Sequence, residues 1–464
     1  MNILLIQPAQ ERGLGFRALA VVEPLGLEAV AGALPEHKIR ILDLRLENHL
    51  SRVVKEFQPA LCGINCSFTI DVYQTREIAA ALKSENPDLP VFVGGHHASL
   101  SPQDFYAPSI DGVVIGEGEV AFREIVSALD AGKDLHKIPG LALNRPAGIF
   151  MTPEREASAN LDDLPIPNRQ LTERYRRHYH LGFQKPFAIM ETARGCPYRC
   201  DFCSVWKFFQ GKCRMRSPER VLQEIQTIQE KYVFLADDNF LMSVPRAKQI
   251  AQMILDYRIK KRFTFQARSD SIVQHPEIIP LLKQAGFWKV FIGFEKIDEA
   301  AMSELNKHNS VQNNEEALKI LRAHKMEVIA AFIIDPSFQV PDFRRLRQYI
   351  LDRKLYSPSL TILTPLPGTE LFARVKEKLV TTNYELFDYV HAVLPTRLKL
   401  PDFYKEFTDL YKTGYAWSQI GVEGALAILH ATFSVSHLVS MKRAAWASVE
   451  PMNYLAGHER KRTP

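Results

Sequence analysis

What most constrains this chain is a rhythm of short apolar runs and amphipathic helical stretches that occurs twice, before and after a proline-rich interval. In the first series, residues 2–8, 38–44, 60–66, 90–95 and 111–116 read as strands, and 25–34, 50–57, 72–86 and 119–129 as helices. Near-continuous apolar strands separated by helices predict a parallel sheet covered on both faces. Residues 1–135 are therefore expected to form a doubly wound, Rossmann-like α/β domain. In the second series, strands are expected at 187–192, 232–238, 263–268, 289–295, 327–334 and 359–365, with helices at 218–231, 245–257, 276–285, 313–324 and 342–354. Ser217 and Ser243, each followed by a proline, mark two of the helix entries. Six βα units predict an open, partial (β/α)6 barrel over 187–380. The interval 136–186 carries Pro139, Pro146, Pro153, Pro165 and Pro167 and reads as a linker with a hairpin at 140–144 and 148–152. Its basic and aromatic run 174–180 reads as a solvated face or an interdomain contact rather than a nucleic-acid site. Residues 381–464 lose the rhythm and are expected to be helical, with helices at 402–417 and 419–441.

In parallel α/β sheets and barrels, chemistry collects at the carboxyl ends of the strands. Three of the six cysteines, Cys196, Cys200 and Cys203, follow the first strand of the second series directly, separated by three and then two residues. Gly195 and Pro197 discourage regular helix there, so three sulfurs can converge on an iron–sulfur cube and leave one of its four irons open. The competing reading is a structural zinc site with Cys213 as fourth ligand. Such sites usually pair short Cys or His spacings, and Cys213 stands ten residues on without a close partner. Thiolate count and loop context favour the [4Fe–4S] cluster. The same rim receives Asp237, Asp238, Arg268, Gly293, Glu295 and Asp335, polar groups at the ends of apolar strands that a polar ligand would satisfy. Cys62 and Cys66, evenly spaced on a buried strand, read as core residues.

The run Cys196-Pro-Tyr-Arg-Cys-Asp-Phe-Cys203 resembles the cluster loop of the radical S-adenosylmethionine (SAM) enzymes, in which SAM chelates the fourth iron and an electron from the cluster releases a 5′-deoxyadenosyl radical. Pro24-Leu-Gly-Leu27, Gly94-Gly-His-His-Ala-Ser99 and Gly116-Glu-Gly-Glu119 look like the N-terminal cobalamin-binding domain of one large branch of that family. Asp237-Asp-Asn-Phe240, Gly293-Phe-Glu295 and Pro365-Leu-Pro-Gly-Thr369 resemble recurring motifs of the same branch. By this resemblance Asp237 and Asp238 contact the amino end of SAM, Arg268 and Glu295, with Gly293, approach its carboxylate or ribose, and Phe202 lies against adenine. Ser67, Gly94, Gly95, His96, His97, Gly116, Glu117 and Gly118 would contact cobalamin. Where many cobalamin domains carry Asp-x-His-x-x-Gly, this chain has Asp43-Leu-Arg-Leu-Glu-Asn48. Either cobalt lacks a protein ligand on that face, or His49, His96 or His97 supplies it.

The activity so implied is a cobalamin-dependent C-methyltransferase. One SAM starts hydrogen abstraction from an unactivated carbon, methylcobalamin gives the methyl group, and a second SAM restores it. Length, domain order and aromatic tail look like the hopanoid methylases and their relatives, which implies a hydrophobic, lipid-like substrate and a low-potential electron donor. The alternatives are a radical enzyme that uses cobalamin for rearrangement, ring contraction or cyclisation, and a non-enzymatic cobalamin or redox sensor. Net charge is +5, too mild to imply nucleic acid. No signal peptide or membrane-length apolar run is evident, and an oxygen-sensitive cluster wants a reducing compartment, so the expected location is cytoplasmic. Glu423, His430 and His437, spaced by seven in the tail, predict one face of a helix that covers the barrel, lids a greasy substrate or rests on a membrane surface.

Overall fold

The computed structural model describes residues 1–9, 14, 19–356, 358–414 and 435–459. Two parallel sheets organise it. In the first, strands run in the order Lys38–Asp43, Asn2–Gln7, Leu61–Asn65, Val91–Gly94 and Gly112–Val114, all parallel. The pleat alternates its side chains between two cores. Leu4 and Ile6 join Cys62, Ile64, Val72 and Leu82 on one face, while Ile3 and Leu5 join Leu27, Phe92, Phe122 and Ile125 on the other. This is the doubly wound arrangement that the apolar runs predict. Cys62 and Cys66 are buried in the first of these cores, where desolvation pushes the Cys62 thiol up to about 12.

The hairpin expected inside the connecting interval forms as Leu141–Arg145 and Gly148–Met151, and it docks antiparallel on Gly112–Val114 as the edge of the first sheet. Leu141 and Leu143 go into the core of that sheet, a burial that an isolated hairpin would lack.

The second sheet holds six parallel strands in chain order, Phe187–Met190, Tyr232–Leu235, Arg262–Gln266, Phe287–Glu295, Glu327–Ile334 and Ser359–Ile362, the open half-barrel expected from six βα units. Ser217 caps the helix Pro218–Thr227 through its hydroxyl. Ser243, read as a similar cap, precedes Val244–Asp256 without a side-chain bond to it. In the tail, Leu400–Gly414 lies against Val340–Asp352 and against Pro451–Glu459, with Tyr404 stacked on Tyr454 at 5.1 Å. Most of the helix expected over 419–441, with Glu423 and His430, lies outside the described residues, as does the side chain of His437. No helix among the described residues is long and apolar enough to cross a membrane.

Candidate active site

The cysteine loop leaves Met190 and is pinned at once. Asp237, at the end of the neighbouring strand, accepts hydrogen bonds from the backbone N–H of Thr192 (2.6 Å) and of Ala193 (3.0 Å) and from the Thr192 hydroxyl. Ala193–Arg194 then pairs antiparallel with Arg214–Met215 and closes the loop at its base. Gly195 holds φ at +87°, and a Cβ there would stand 2.1 Å from the Lys212 carbonyl oxygen, so glycine is required at the turn into the first thiol. Farther along, Cys203 N–H and the Trp206 indole both donate to the Cys200 carbonyl, at 3.0 and 3.2 Å.

Cys200 is buried and Cys196 and Cys203 are half-buried. Desolvation raises all three thiols, Cys203 to about 12, while the nearby Lys307 and Arg268 cations pull Cys196 and Cys200 toward the thiolate. Soft sulfur donors beside fixed cations suit an anionic iron–sulfur cluster, three of whose irons would each take one of these thiolates.

The expected SAM residues divide into two kinds. Both Asp237 oxygens serve the loop, so this carboxylate supports the site from behind rather than facing a ligand. Arg268 is equally committed. It pairs with Asp270 at 2.7 Å, donates to the Lys307 and His308 carbonyls at 3.1 and 2.9 Å, and lies 3.7 Å from the centre of the Tyr198 ring in the cysteine loop. Glu295 pairs with Lys307 at 2.5 Å, and Lys307 also donates to the Gly293 carbonyl. A Cβ on Gly293 would come within 2.0 Å of the Glu295 carboxylate and 2.5 Å of the Lys307 ammonium, so any side chain there would displace this pair. These three therefore brace the rim and hold its cations beside the thiols. Phe202 is half-buried between Cys200 and Cys203. Asp238 alone faces open space; burial, then the charges of Glu191 and Asp237, raise it to about 7.

That open space is a cavity of about 370 Å³ between the carboxyl edge of the first sheet and the short helix Val205–Phe208 that follows the cysteines. Ser67, Gly94, Gly95, His96, Gly116, Glu117 and Gly118 all line it. His97 does not, and both its ring nitrogens are engaged, by Thr69 at 3.1 Å and Asp104 at 3.0 Å, so it is a core residue and not a cobalt ligand. Arg45, standing where other domains carry histidine, is spent on Asp43 and the Val22 carbonyl. His49 is exposed ahead of helix Leu50–Phe57. His96 stacks on Phe208 at 4.5 Å and meets the Ser204 hydroxyl at 2.8 Å, and burial lowers it to about 4, so it is neutral near pH 7.

The seam that joins the two sheets was not legible as such. Arg194 of the cysteine loop pairs with Glu117 at 2.7 Å, Glu119 at 2.6 Å and Glu191 at 2.7 Å, and Arg214 adds a second cation to Glu117 at 2.9 Å. Gly116-Glu-Gly-Glu119 thus binds the partner domain as well as lining the cavity. Below it, the 3-10 helix Arg169–His178 buries Arg169, Thr172, Tyr175 and Arg176 and leaves Arg174, Arg177 and His178 exposed. Arg176 reaches Glu230 of the barrel at 2.5 Å and Glu23 of the first domain, while Arg169 reaches Glu224 at 2.9 Å. Arg216 and Glu224, which also line the cavity, belong to no motif and had no local signal.

Comparison with known proteins agrees with this geometry. Residues 12–126 match the B12 binding domain family and residues 190–339 the radical SAM superfamily. The chain is 33% identical over 408 residues to the hopanoid C-3 methylase of Methylococcus capsulatus, across 86% of this chain and 78% of that protein. It is 25% identical to an anaerobic magnesium-protoporphyrin IX monomethyl ester cyclase of Synechocystis, across 85% of this chain and 81% of the relative. Among solved structures, the radical SAM methyltransferase TsrM from Kitasatospora setae, with cobalamin and a [4Fe–4S] cluster bound, superposes with a TM-score of 0.71 at 17% identity, covering 97% of this chain and all of the other. That likeness is one of fold.

Proposed function

Because the chain belongs to the cobalamin-binding branch of the radical SAM enzymes, whose cofactors are a [4Fe–4S] cluster, SAM and cobalamin, we propose that it is a C-methyltransferase acting on an unactivated carbon of a hydrophobic polycyclic substrate such as a hopanoid. With those groups bound, SAM at the cluster supplies hydrogen abstraction and cobalamin supplies the methyl group. The observation that supports the reading is a cavity lined by the first sheet's glycine-rich edge, by the short helix that follows the cysteines and by Asp238 of the second sheet's rim, where a cofactor of the first domain would face the cysteine loop. Cys196, Cys200 and Cys203 would hold the cluster, and Lys307 and Arg268 would favour their thiolates. Val205, Phe208 and Phe209 give the chamber an apolar wall, which keeps water from a carbon radical. Arg194, held by three glutamates, fixes the loop against the first domain. The reading also calls for a low-potential electron donor and a reducing, cytoplasmic setting.

The test is anaerobic reconstitution followed by incubation with methyl-labelled SAM and a hopanoid. Label retained in the lipid supports methylation. A second reading, cyclisation or rearrangement without methyl transfer, has the magnesium-protoporphyrin cyclase relative in its favour. An unlabelled, rearranged product would select it. Absence of 5′-deoxyadenosine with every substrate tried would sink both.

A further inference from the structure

Two charged side chains on the wall of the interdomain cavity keep buried polar atoms without a hydrogen-bond partner. Arg216 is 5% exposed. Its main chain is held by the Thr192 carbonyl and by Arg246, yet its guanidinium makes no hydrogen bond or ion pair among the described residues, and its Nη1 is sealed from solvent. Glu224, on helix Pro218–Thr227, is 1% exposed. Its Oε1 pairs with Arg169 at 2.9 Å, and its Oε2, sealed from solvent, has no hydrogen-bond partner. The other nearby acid, Glu191, is taken by Arg194. A buried donor and a buried acceptor left unsatisfied are costly, and a native site that keeps both is shaped for something that satisfies both.

The pair selects the chemistry of what fills it. A carboxylate would suit Arg216 and be repelled by Glu224, and an ammonium the reverse. A primary carboxamide suits both, since its carbonyl oxygen accepts from the guanidinium and its N–H donates to the carboxylate. The rim of a corrin ring carries primary carboxamides on short stems, and the opposite wall of this cavity is the edge formed by Gly94, Gly95, Gly116 and Gly118. We propose that Arg216 and Glu224 together grip a side-chain carboxamide of bound cobalamin and so fix the rotation of the ring relative to the cysteine loop. The proposal rests on the reading that this chamber takes cobalamin.

The test uses the full chain with its cluster reconstituted, titrated with hydroxocobalamin and followed by visible absorption. Arg216→Met is expected to weaken binding by on the order of tenfold to a hundredfold, the worth of a charge-assisted hydrogen bond, and Arg216→Lys by less. Cobalamin monocarboxylates, in which one rim amide is hydrolysed, sharpen the result. The parent should reject one isomer by about tenfold or more relative to cobalamin, and Glu224→Gln should accept it. Iron content and SAM affinity should match the parent in each variant. If Arg216→Met does not take up iron, Arg216→Lys and Glu224→Gln decide the matter. Cobalamin affinity equal to the parent's in those variants overturns the proposal, as does a loss confined to SAM affinity, which would hand the pair to SAM. A parent that binds no cobalamin at all overturns the functional reading as well, and is told apart from these by that first titration.

Discussion

The seam between the sheets and the cavity beside it are built from the same residue types and share some of them, but every seam arginine is paired whereas the cavity also keeps charged groups that are not. Arg176, Arg169 and Arg194 each stand against one to three glutamates from the other domain or the connection, and all are buried. A few ångströms of chain away, Arg216 and Asp238 face the cavity without a counter-ion in contact. A buried charge with its partner supplied holds the domains in register, whereas one without a partner is tolerable only where a ligand will arrive. The contrast separates what keeps this molecule folded from what it is built to bind.

The contrast breaks most sharply if a cavity-side change unfolds the protein or a seam change leaves it intact. Cys203→Ala should abolish 5′-deoxyadenosine formation and the cluster's visible absorption while leaving the unfolding midpoint of the cluster-free chain near the parent's, because alanine keeps the backbone N–H bond to the Cys200 carbonyl and the side chain makes no part of the core. Turnover at the parent rate would refute the ligand assignment. Arg176→Met should do the opposite. It strands Glu230 in the interior and leaves Glu23 with Arg169 and the Ile189 N–H alone, a loss of about 3–5 kcal/mol, visible as a large drop in the urea midpoint. A loss within error of zero would mean the seam is decorative.

Adjacent residues sharpen the same line. Asp237→Asn keeps Oδ1 for the Thr192 and Ala193 N–H groups but turns the Oδ2 that accepts from the Thr192 hydroxyl into a buried donor, and should cost about 1–3 kcal/mol together with cluster uptake. Asp238→Asn, one residue on, should leave stability almost unchanged and weaken SAM binding. Equal effects from the two, measured by unfolding and by equilibrium dialysis, would erase the distinction.

This pair also shows how far the residues could be read. Both sheets were legible because their apolar runs have the strand period and helices intervene, and the cobalamin-side edge was legible because small residues cluster at strand ends. All the residues expected there except His97 line the cavity. Which of two neighbouring aspartates turns inward depends on the sheet's orientation against its surroundings, and no local pattern carries that. The same holds for the hairpin, recognisable as two strands and a turn but not as an edge of the first sheet. The seam was the least legible part. Glu23, Glu28, Arg169, Arg176, Glu224 and Glu230 come from three separate regions and meet only after both domains have formed. Long-range ion pairs leave no spacing to find.

The smallest effect expected is a pH dependence inside the seam. Glu28 is fully buried and accepts from the Thr172 hydroxyl, with Arg176 no closer than 3.7 Å and its second oxygen unpartnered. Burial, then the charge of Glu23, raise it well above the ordinary carboxyl value of 4.5, outweighing the pull of Arg169, Thr172 and Arg176. The folded protein therefore keeps a proton that the unfolded chain has already released. Stability from this group is complete below the unfolded value and drains away as pH rises through the folded one. Glu28→Gln cannot ionise and keeps an oxygen for Thr172. Its unfolding midpoint should trail or equal the parent's near pH 5 and overtake it by pH 8, a relative gain on the order of 1 kcal/mol. Parallel curves across that range would place the charge of Glu28 among the satisfied members of the seam, and the contrast would then have to be drawn around Arg216 and Asp238 alone.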